Sequence, residues 1–131
     1  MVDAVQQRRL SETDGFVALV DREIKQHLTD EMLSLTFIAQ NLNFNASYLS
    51  NAYKKKAGIN INEQISRKRM ELANELLRTT RLSIAEISSR VGIPNYTTFI
   101  RLHKKYYHVT PGKYREMSTS FSQGEDFTKM E

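Results

Sequence analysis

The sequence predicts an all-α fold of seven helices, in which a long helix joins two similar helix-turn-helix units. Apolar residues recur at intervals of three and four along most of the 131-residue chain, which is the spacing that gives a helix one apolar face. Residues suited to capping a helix, such as Ser83, stand directly before several of these segments. The segment beginning at Ser34 is also repeated after 49 to 50 residues, which predicts two copies of one structural unit.

The first predicted helix begins near Asp14, whose side chain is suited to cap it. Its apolar residues share one face of the helix; they are Phe16, Val17, Val20, Ile24 and Leu28. We expect this face to cover the core of the unit that follows.

The first helix-turn-helix unit is predicted to have helices at about residues 35 to 42 and 46 to 57. Gly58 is expected to end the second of them in a left-handed conformation, which glycine adopts at little cost. A long linker helix then extends to about Thr80, and Asn60 and Glu63 form a capping-box pattern at its start. Its predicted buried side consists of Ile61, Ile65, Leu72, Ala73, Leu76 and Leu77. At about 1.5 Å per residue, this helix is about 30 Å long.

The second unit repeats the pattern, with predicted helices at about residues 84 to 91 and 95 to 107. Ser83 and Glu86 form another capping box, and Gly92 stands where the backbone must turn. Thr110 and Pro111 supply a cap and a proline at the first helical position, so a further helix is expected to begin there.

Alignment of the two units shows that the turn of the second is one residue longer. Phe44 aligns with Ile93 at an offset of 49 residues, whereas Leu49 aligns with Phe99 at an offset of 50. His108 aligns with Gly58, which ends the second helix of the first unit, so we expect His108 to adopt either a positive φ or a different cap.

Two helices around a glycine turn, with polar and basic residues on the second, are typical of a helix-turn-helix that places its second helix in a DNA groove. The segment from 84 to 115 resembles the C-terminal signature of AraC/XylS-type bacterial transcription activators. The matching residues are Ile84-Ala85, Val91-Gly92, Phe99, Arg101, Lys104-Lys105, Thr110-Pro111 and Tyr114-Arg115. Ile93, His103 and His108 depart from the signature, which usually has phenylalanine, phenylalanine and glycine there. The resemblance extends over about residues 14 to 116 and implies a regulator that binds duplex DNA and contacts RNA polymerase.

The resemblance also implies that the second helix of each unit, the recognition helix, reads bases with its exposed face. By motif position the base-reading residues are Ser47, Ser50, Asn51, Tyr96, Thr97, Ile100 and Arg101. Arginine can bind guanine through two hydrogen bonds, asparagine can bind adenine, and isoleucine or a threonine methyl can contact thymine. The side chains of the first unit are short, so its reading is expected to be weak or dominated by DNA shape. For Arg101, contact with a phosphate or an internal salt bridge is the alternative.

Lysines follow both recognition faces and are predicted to contact phosphates; they are Lys54, Lys55, Lys56, Lys104 and Lys105. Their alternative is a solvated helix end that favours the helix dipole. We expect helix packing, rather than base stacking, from Tyr48, Tyr53, Tyr106, Tyr107 and Tyr114, with the alternative that one tyrosine hydroxyl contacts a phosphate. Because the linker helix is nearly as long as one turn of B-DNA, about 34 Å, it is expected to hold the recognition helices in successive major grooves.

The charge distribution favours a polyanionic partner. Residues 45 to 115 carry 14 of the 19 Lys and Arg residues but only 4 of the 15 Asp and Glu residues. By itself this asymmetry is as compatible with a merely soluble surface as with a nucleic-acid face.

The sequence predicts no catalytic residue, metal site or cofactor. It has no cysteine, its three histidines lack partners at metal-ligand spacing, and no nucleotide-binding or hydrolase motif occurs. His103 is expected to be a packed core or interface residue rather than a metal ligand. The chain lacks a signal peptide and any apolar run of about 18 residues, so we predict a cytoplasmic protein that is not an enzyme and does not bind membranes.

The predicted domain organisation consists of a polar segment at 1–13, the first unit at 14–58, the linker helix at 59–80, the second unit at 81–117 and a tail at 118–131. The tail either frays or docks through Phe121 and Phe127. We expect the DNA-binding domain of a larger regulator, monomeric in isolation and compatible with a dimeric full-length protein; a complete small activator is the alternative. Outside this class, an RNA-binding or RNA-chaperone helical protein and a protein-binding adaptor stay open.

Overall fold

The computed structural model describes residues 15–118, which form seven helices and contain no strand, as the sequence predicts. The helices are α1 (Phe16–His27), α2 (Leu35–Leu42), α3 (Ala46–Ala57), α4 (Ile61–Thr79), α5 (Ile84–Arg90), α6 (Tyr96–Tyr107) and α7 (111–118). None of these helices is long and apolar enough to cross a membrane. The cap predicted for Asp14 and the docking predicted for Phe121 and Phe127 lie outside the described residues.

The chain divides into two compact units between Ser66 and Arg67, within α4. The buried core of the first unit consists of Phe16, Val20, Ile24, Leu33, Ile38, Ala39, Leu49, Tyr53, Ile61 and Ile65. Val17 and Leu28 are only partly buried and pack at the edge of this core. Full burial of a leucine or isoleucine side chain contributes about 1.5–3 kcal/mol, so this cluster is the main source of the stability of the first unit.

The second unit has its own core, composed of Met70, Ala73, Leu77, Ile87, Val91, Ile93 and Phe99. The sequence places Leu72 and Leu76 on the buried side of α4, but both are only partly buried, whereas Met70 is fully buried. Both leucines still pack against the second core, so they lie on the buried side as predicted, although not at its centre. The buried residues of α4 are Met70, Asn74 and a row in steps of four at 61, 65, 69, 73 and 77. Positions 72 and 76 therefore lie beside this row, at its edge.

The turns between the two helices of each unit reverse the backbone in a similar way. In the first unit Asn43 is left-handed, with a φ of 60°, and the N–H of Phe44 donates to the carbonyl of Ala39 at 2.9 Å. Gly92 takes the equivalent place in the second unit, with a φ of 88°. Pro94 is the additional residue of the second turn, which confirms the length difference predicted from the alignment.

Both recognition helices begin with an asparagine cap. The side chain of Asn45 accepts a hydrogen bond from the N–H of Tyr48 at 3.0 Å, and that of Asn95 accepts one from the N–H of Thr98 at 2.9 Å. Each cap satisfies an amide that has no partner within the helix. Because Asn95 is the cap, α6 begins at Tyr96 and not at the predicted residue 95.

The two predicted capping boxes differ in one contact. At α5, the Ser83 hydroxyl accepts from the N–H of Glu86, and the Glu86 carboxylate accepts from the N–H of Ser83 in return. At α4, Asn60 accepts from the N–H of Glu63 at 2.8 Å, but the Glu63 carboxylate accepts from the side-chain amide of Asn60. The asparagine side chain thus provides the second donor at this helix start.

The internal repeat extends beyond the recognition helices. Gly58 and His108 both have positive φ, of 80° and 66°, so His108 adopts the first of its two predicted alternatives. A buried residue follows three positions later in each unit, Ile61 in α4 and Pro111 in α7. Thr110 caps α7 through a hydrogen bond of 3.2 Å, as predicted. The start of α4 and the start of α7 are therefore equivalent, and between residues 15 and 118 each unit contributes four helical segments.

Candidate nucleic-acid interface

The recognition helix α3 exposes a polar and basic stripe on the side opposite its buried residues. Leu49 and Tyr53 face the core of the first unit and are completely buried. Ser47, Asn51 and Lys54 are exposed at intervals of four and three residues, so they line one side of the helix over about two turns.

The recognition helix α6 repeats this arrangement 50 residues later. Phe99 and His103 are completely buried in the core of the second unit. Thr97, Arg101 and Lys104 are exposed at the positions equivalent to those of the first stripe. The second unit therefore presents a longer, cationic side chain where the first presents an asparagine.

The structure separates the predicted base-reading residues into two groups. The exposed ones are Ser47, Asn51, Tyr96, Thr97 and Arg101. Ser50 and Ile100 are half-buried at the edge of the stripes. Five of the seven predicted base-reading residues are therefore exposed on the two helices. Contact of any of the seven with DNA bases stays a prediction.

The lysines predicted to contact phosphates are all exposed; they are Lys54, Lys55, Lys56, Lys104 and Lys105. The ammonium group of Lys105 lies 5.9 Å from the centroid of the Tyr106 ring, which is within the range of a cation–π contact. Phosphate contact by these lysines likewise stays a prediction.

Arg101 forms no ion pair with any residue between 15 and 118. The internal salt bridge considered as an alternative is therefore absent from the part of the chain that the structure describes. The exposed guanidinium group is suited to a guanine edge or to a phosphate, because its planar set of donors can form two parallel hydrogen bonds.

The tyrosines fall into two classes. Tyr53 is buried, and Tyr106, Tyr107 and Tyr114 are half-buried against the second core, as the packing prediction requires. Tyr48 differs, because 55% of its surface is exposed.

Equivalent side-chain contacts on the buried side of both recognition helices tie each helix to its unit, and the contact is part-buried in the first unit and buried in the second. The Tyr53 hydroxyl donates to the Asp21 carboxylate of α1 at 2.7 Å. At the equivalent position of α6, Nε2 of His103 lies 2.7 Å from Oδ1 of Asn74 in α4. Burial and the neighbouring Asp21 carboxylate raise the pKa of Tyr53, so its hydroxyl keeps its proton and remains a donor.

His103 is completely buried, which confirms the prediction of a packed core histidine. Its Nδ1 lies 2.7 Å from the carbonyl oxygen of Val109, and its ring packs on Tyr107 and Tyr114. Burial lowers the pKa of His103, and the hydrogen bond to Val109 opposes this effect only in part. A neutral ring has one N–H donor, so it donates to one of its two oxygen neighbours, whereas a protonated ring donates to both.

Two arginines brace the second unit in ways that the sequence does not indicate. The guanidinium of the buried Arg69 lies against the turn, where a Cβ on Gly92 would be 3.0 Å from its atoms. The two residues are matched in packing, since the absent side chain of Gly92 leaves the space that Arg69 occupies.

Arg115 of α7 binds the end of α4 and the loop that follows it. Its guanidinium donates to the carbonyl oxygens of Leu77 at 3.1 Å, Thr80 at 3.2 Å and Leu82 at 2.6 Å. Carbonyls at a helix end have no partner within the helix, so Arg115 supplies the donors that they require. The family signature includes this arginine, but the sequence alone does not show what it binds.

Comparison with known proteins gives a family and several related structures. Residues 22–117 match a family model described as a helix-turn-helix domain. The Msm operon regulatory protein of Streptococcus mutans is 34% identical over 106 residues, which are 81% of this chain and 38% of that protein. The chain spans 13% to 38% of the length of eight curated relatives that it matches.

Two solved structures share both fold and sequence with this chain. The C-terminal domain of the two-component response regulator yesN from Fusobacterium nucleatum is similar with a TM-score of 0.73 at 38% identity, over 75% of this chain and 95% of that one. The C-terminal domain of AraT, a response regulator from Geobacillus stearothermophilus, is similar with a TM-score of 0.76 at 35% identity, over 78% of this chain and 84% of that one.

Proposed function

This chain belongs to the AraC/XylS-type family of helix-turn-helix DNA-binding domains, and from that premise we propose that it binds duplex DNA sequence-specifically to regulate bacterial transcription. The proposal is carried by the recurrence of exposed polar and basic side chains at equivalent positions of two helices. These residues are Ser47, Asn51 and Lys54 on α3, and Thr97, Arg101 and Lys104 on α6. Folding does not require such a pattern at the surface, but recognition of a charged groove does.

In the proposed complex, the centre of each stripe meets base edges and the lysines meet phosphates. Arg101 is suited to guanine O6 and N7, and a bidentate contact of this kind discriminates by about 1–3 kcal/mol. Each lysine that neutralises a phosphate releases a counterion, so affinity is expected to fall steeply with salt. The lysines thus contribute affinity and register, while Arg101 contributes selectivity.

The two recognition helices differ in sequence, so we propose that they read two different sub-sites. The protected duplex is expected to span about two helical turns, with sub-sites about 10 bp apart. Footprinting on the preferred duplex tests this expectation. A palindrome bound by one monomer, or a single short protected site, would contradict it.

We further propose that the chain acts as the DNA-binding part of a larger cytoplasmic regulator, and that this regulator activates transcription through contact with RNA polymerase. The size of the curated relatives supports the first part, since the chain spans 13% of one relative and 38% of another. The resemblance to AraC/XylS-type activators supports the second. No catalytic activity is proposed for this chain.

Enrichment of random duplexes on the protein, in parallel with single-stranded RNA at equal salt, tests the central proposal. We expect a recurrent duplex sequence to be selected and RNA to bind more weakly. The exposed stripes favour duplex DNA because modules that read single-stranded RNA usually present aromatic platforms to unstacked bases. Preferential retention of RNA would favour the RNA-binding alternative and overturn the proposal.

A further inference from the structure

The first recognition helix, α3, exposes a large side chain, that of Tyr48, at a position that is not among those predicted to read bases. Tyr48 is 55% exposed, and its ring packs edge-on against Phe16 of α1, with the centroids 5.5 Å apart and an interplanar angle of 83°. Phe16 is buried and packs in the same manner against Phe44, at 5.0 Å and 71°. One edge of the Tyr48 ring is therefore held by the core, while the rest of the side chain remains in solvent.

The direction of Tyr48 on α3 places it beside a lysine. Residues seven apart on a helix differ in direction by about 20°, so Tyr48 and Lys55 project from the same flank. Asn51 lies nearer the centre of the exposed side, opposite the buried Leu49. A helix in the major groove presents its centre to base edges and its flanks to the two sugar-phosphate strands.

We propose that the Tyr48 hydroxyl donates a hydrogen bond to a DNA phosphate beside the one that Lys55 contacts, and thereby fixes α3 in the first sub-site. This inference rests on the proposed function. Tyrosine is among the side chains that donate to phosphate, and the contact with Phe16 restricts the ring before DNA arrives. Less conformational entropy is lost on binding as a result. The short reading side chains of α3 gain a fixed position from this contact.

The second unit differs at this position, which makes the inference specific to the first sub-site. The residue equivalent to Tyr48 is Thr98, which is half-buried. The exposed tyrosine of the second recognition helix is Tyr96, two residues earlier, and a step of two residues changes direction by about 200°. Tyr96 therefore lies on another side of its helix than Tyr48 does.

The test compares the wild type with Tyr48→Phe, which keeps the ring on Phe16 and removes only the hydroxyl. Loss of one hydrogen bond is expected to weaken binding about 2- to 10-fold on every duplex. The base preference, the melting temperature and the salt slope are expected to stay unchanged, because phenol carries no charge. Lys55→Ala is the matched flank control, and it should lower the salt slope by about 1.

A scan with single methylphosphonate substitutions locates the phosphate. One substitution in the first sub-site should weaken the wild type more than it weakens Tyr48→Phe, because both proteins lose the phosphate charge but only the wild type also loses the hydrogen bond. Equal affinity of wild type and Tyr48→Phe would overturn the inference, and so would a changed base preference or a lower melting temperature. If the wild type selects duplexes while Tyr48→Phe matches it, only this inference fails. If the wild type selects no duplex, both the proposed function and this inference fail.

Discussion

Nε2 of His103 lies 2.7 Å from Oδ1 of Asn74, behind the second recognition helix, in the place that the Tyr53–Asp21 hydrogen bond holds in the first unit. Each hydrogen bond ties the buried side of a recognition helix to the helix that precedes the helix-turn-helix of its unit. The two groups differ in when they gain or lose a proton, because the imidazole of a histidine titrates near neutral pH and the hydroxyl of a tyrosine does not. The two units should therefore respond differently to acid.

The pH dependence of the second unit is the first prediction. Burial lowers the pKa of folded His103, whereas an unfolded histidine titrates at about 6.5. Below about pH 6.5 the unfolded state binds more protons, so the stability that neutral His103 provides is present above this pH and is lost as the pH falls through it. We expect the melting temperature to fall between about pH 7 and pH 5.5 more steeply for the wild type than for His103→Phe. Parallel pH profiles would contradict this assignment.

Two glycines with positive φ give a second prediction with an internal control. A Cβ at Gly58 would have no atom of residues 15–118 within 4 Å, so Gly58→Ala should cost only the backbone strain of a left-handed residue, about 1–2 kcal/mol. Gly92→Ala imposes similar strain and also places its Cβ 3.0 Å from the Arg69 guanidinium. We expect the free energy of unfolding, measured by denaturant titration, to fall further for Gly92→Ala. An equal decrease for both variants would show that Arg69 yields without cost.

Much of the fold follows from local rules that a sequence displays. The boundaries of α2 and α3 agree with the prediction because caps and glycines end helices through the backbone alone. The extra residue in the second turn is visible in the alignment, and Pro94 occupies it. Exposure of Asn51 and Arg101 was also predictable, since both lie opposite apolar positions at helical spacing.

The contacts that brace the second unit were not predictable in the same way. Arg69 and Arg115 have a residue type that usually lies at the surface, yet one is buried and the other donates three hydrogen bonds to main-chain carbonyls. Asn74 follows the buried Ala73 but lies outside the row of α4 at 61, 65, 69, 73 and 77, and its buried side chain contacts His103. These interactions join residues 29 to 38 positions apart in the sequence, or depend on the shape of a turn, so no local pattern specifies them.

A third prediction separates affinity from selectivity. Replacement of Lys104 and Lys105 by Ala should weaken binding to all duplexes by a similar factor, because phosphates carry no sequence information. The salt slope should fall by about 1 for each phosphate that is no longer neutralised. Binding titrations at several salt concentrations, on preferred and scrambled duplexes, measure both quantities. A change in base preference at constant salt slope would show that these lysines do not bind phosphates.

The final prediction concerns Arg101, whose exposed guanidinium stands where the first unit has Asn51. Because arginine reaches farther and can bind guanine through two hydrogen bonds, the second unit should have the sharper base preference. Arg101→Ala is expected to cost about 1–3 kcal/mol on the preferred duplex and to relax selectivity at one base pair of the second sub-site. Asn51→Ala is the matched control, and its effect should be smaller and confined to the first sub-site. Titration against all four bases at each position, with thermal melting, measures these effects. An unchanged preference profile for Arg101→Ala would assign the arginine to a phosphate, and a large drop in melting temperature would make it a structural residue.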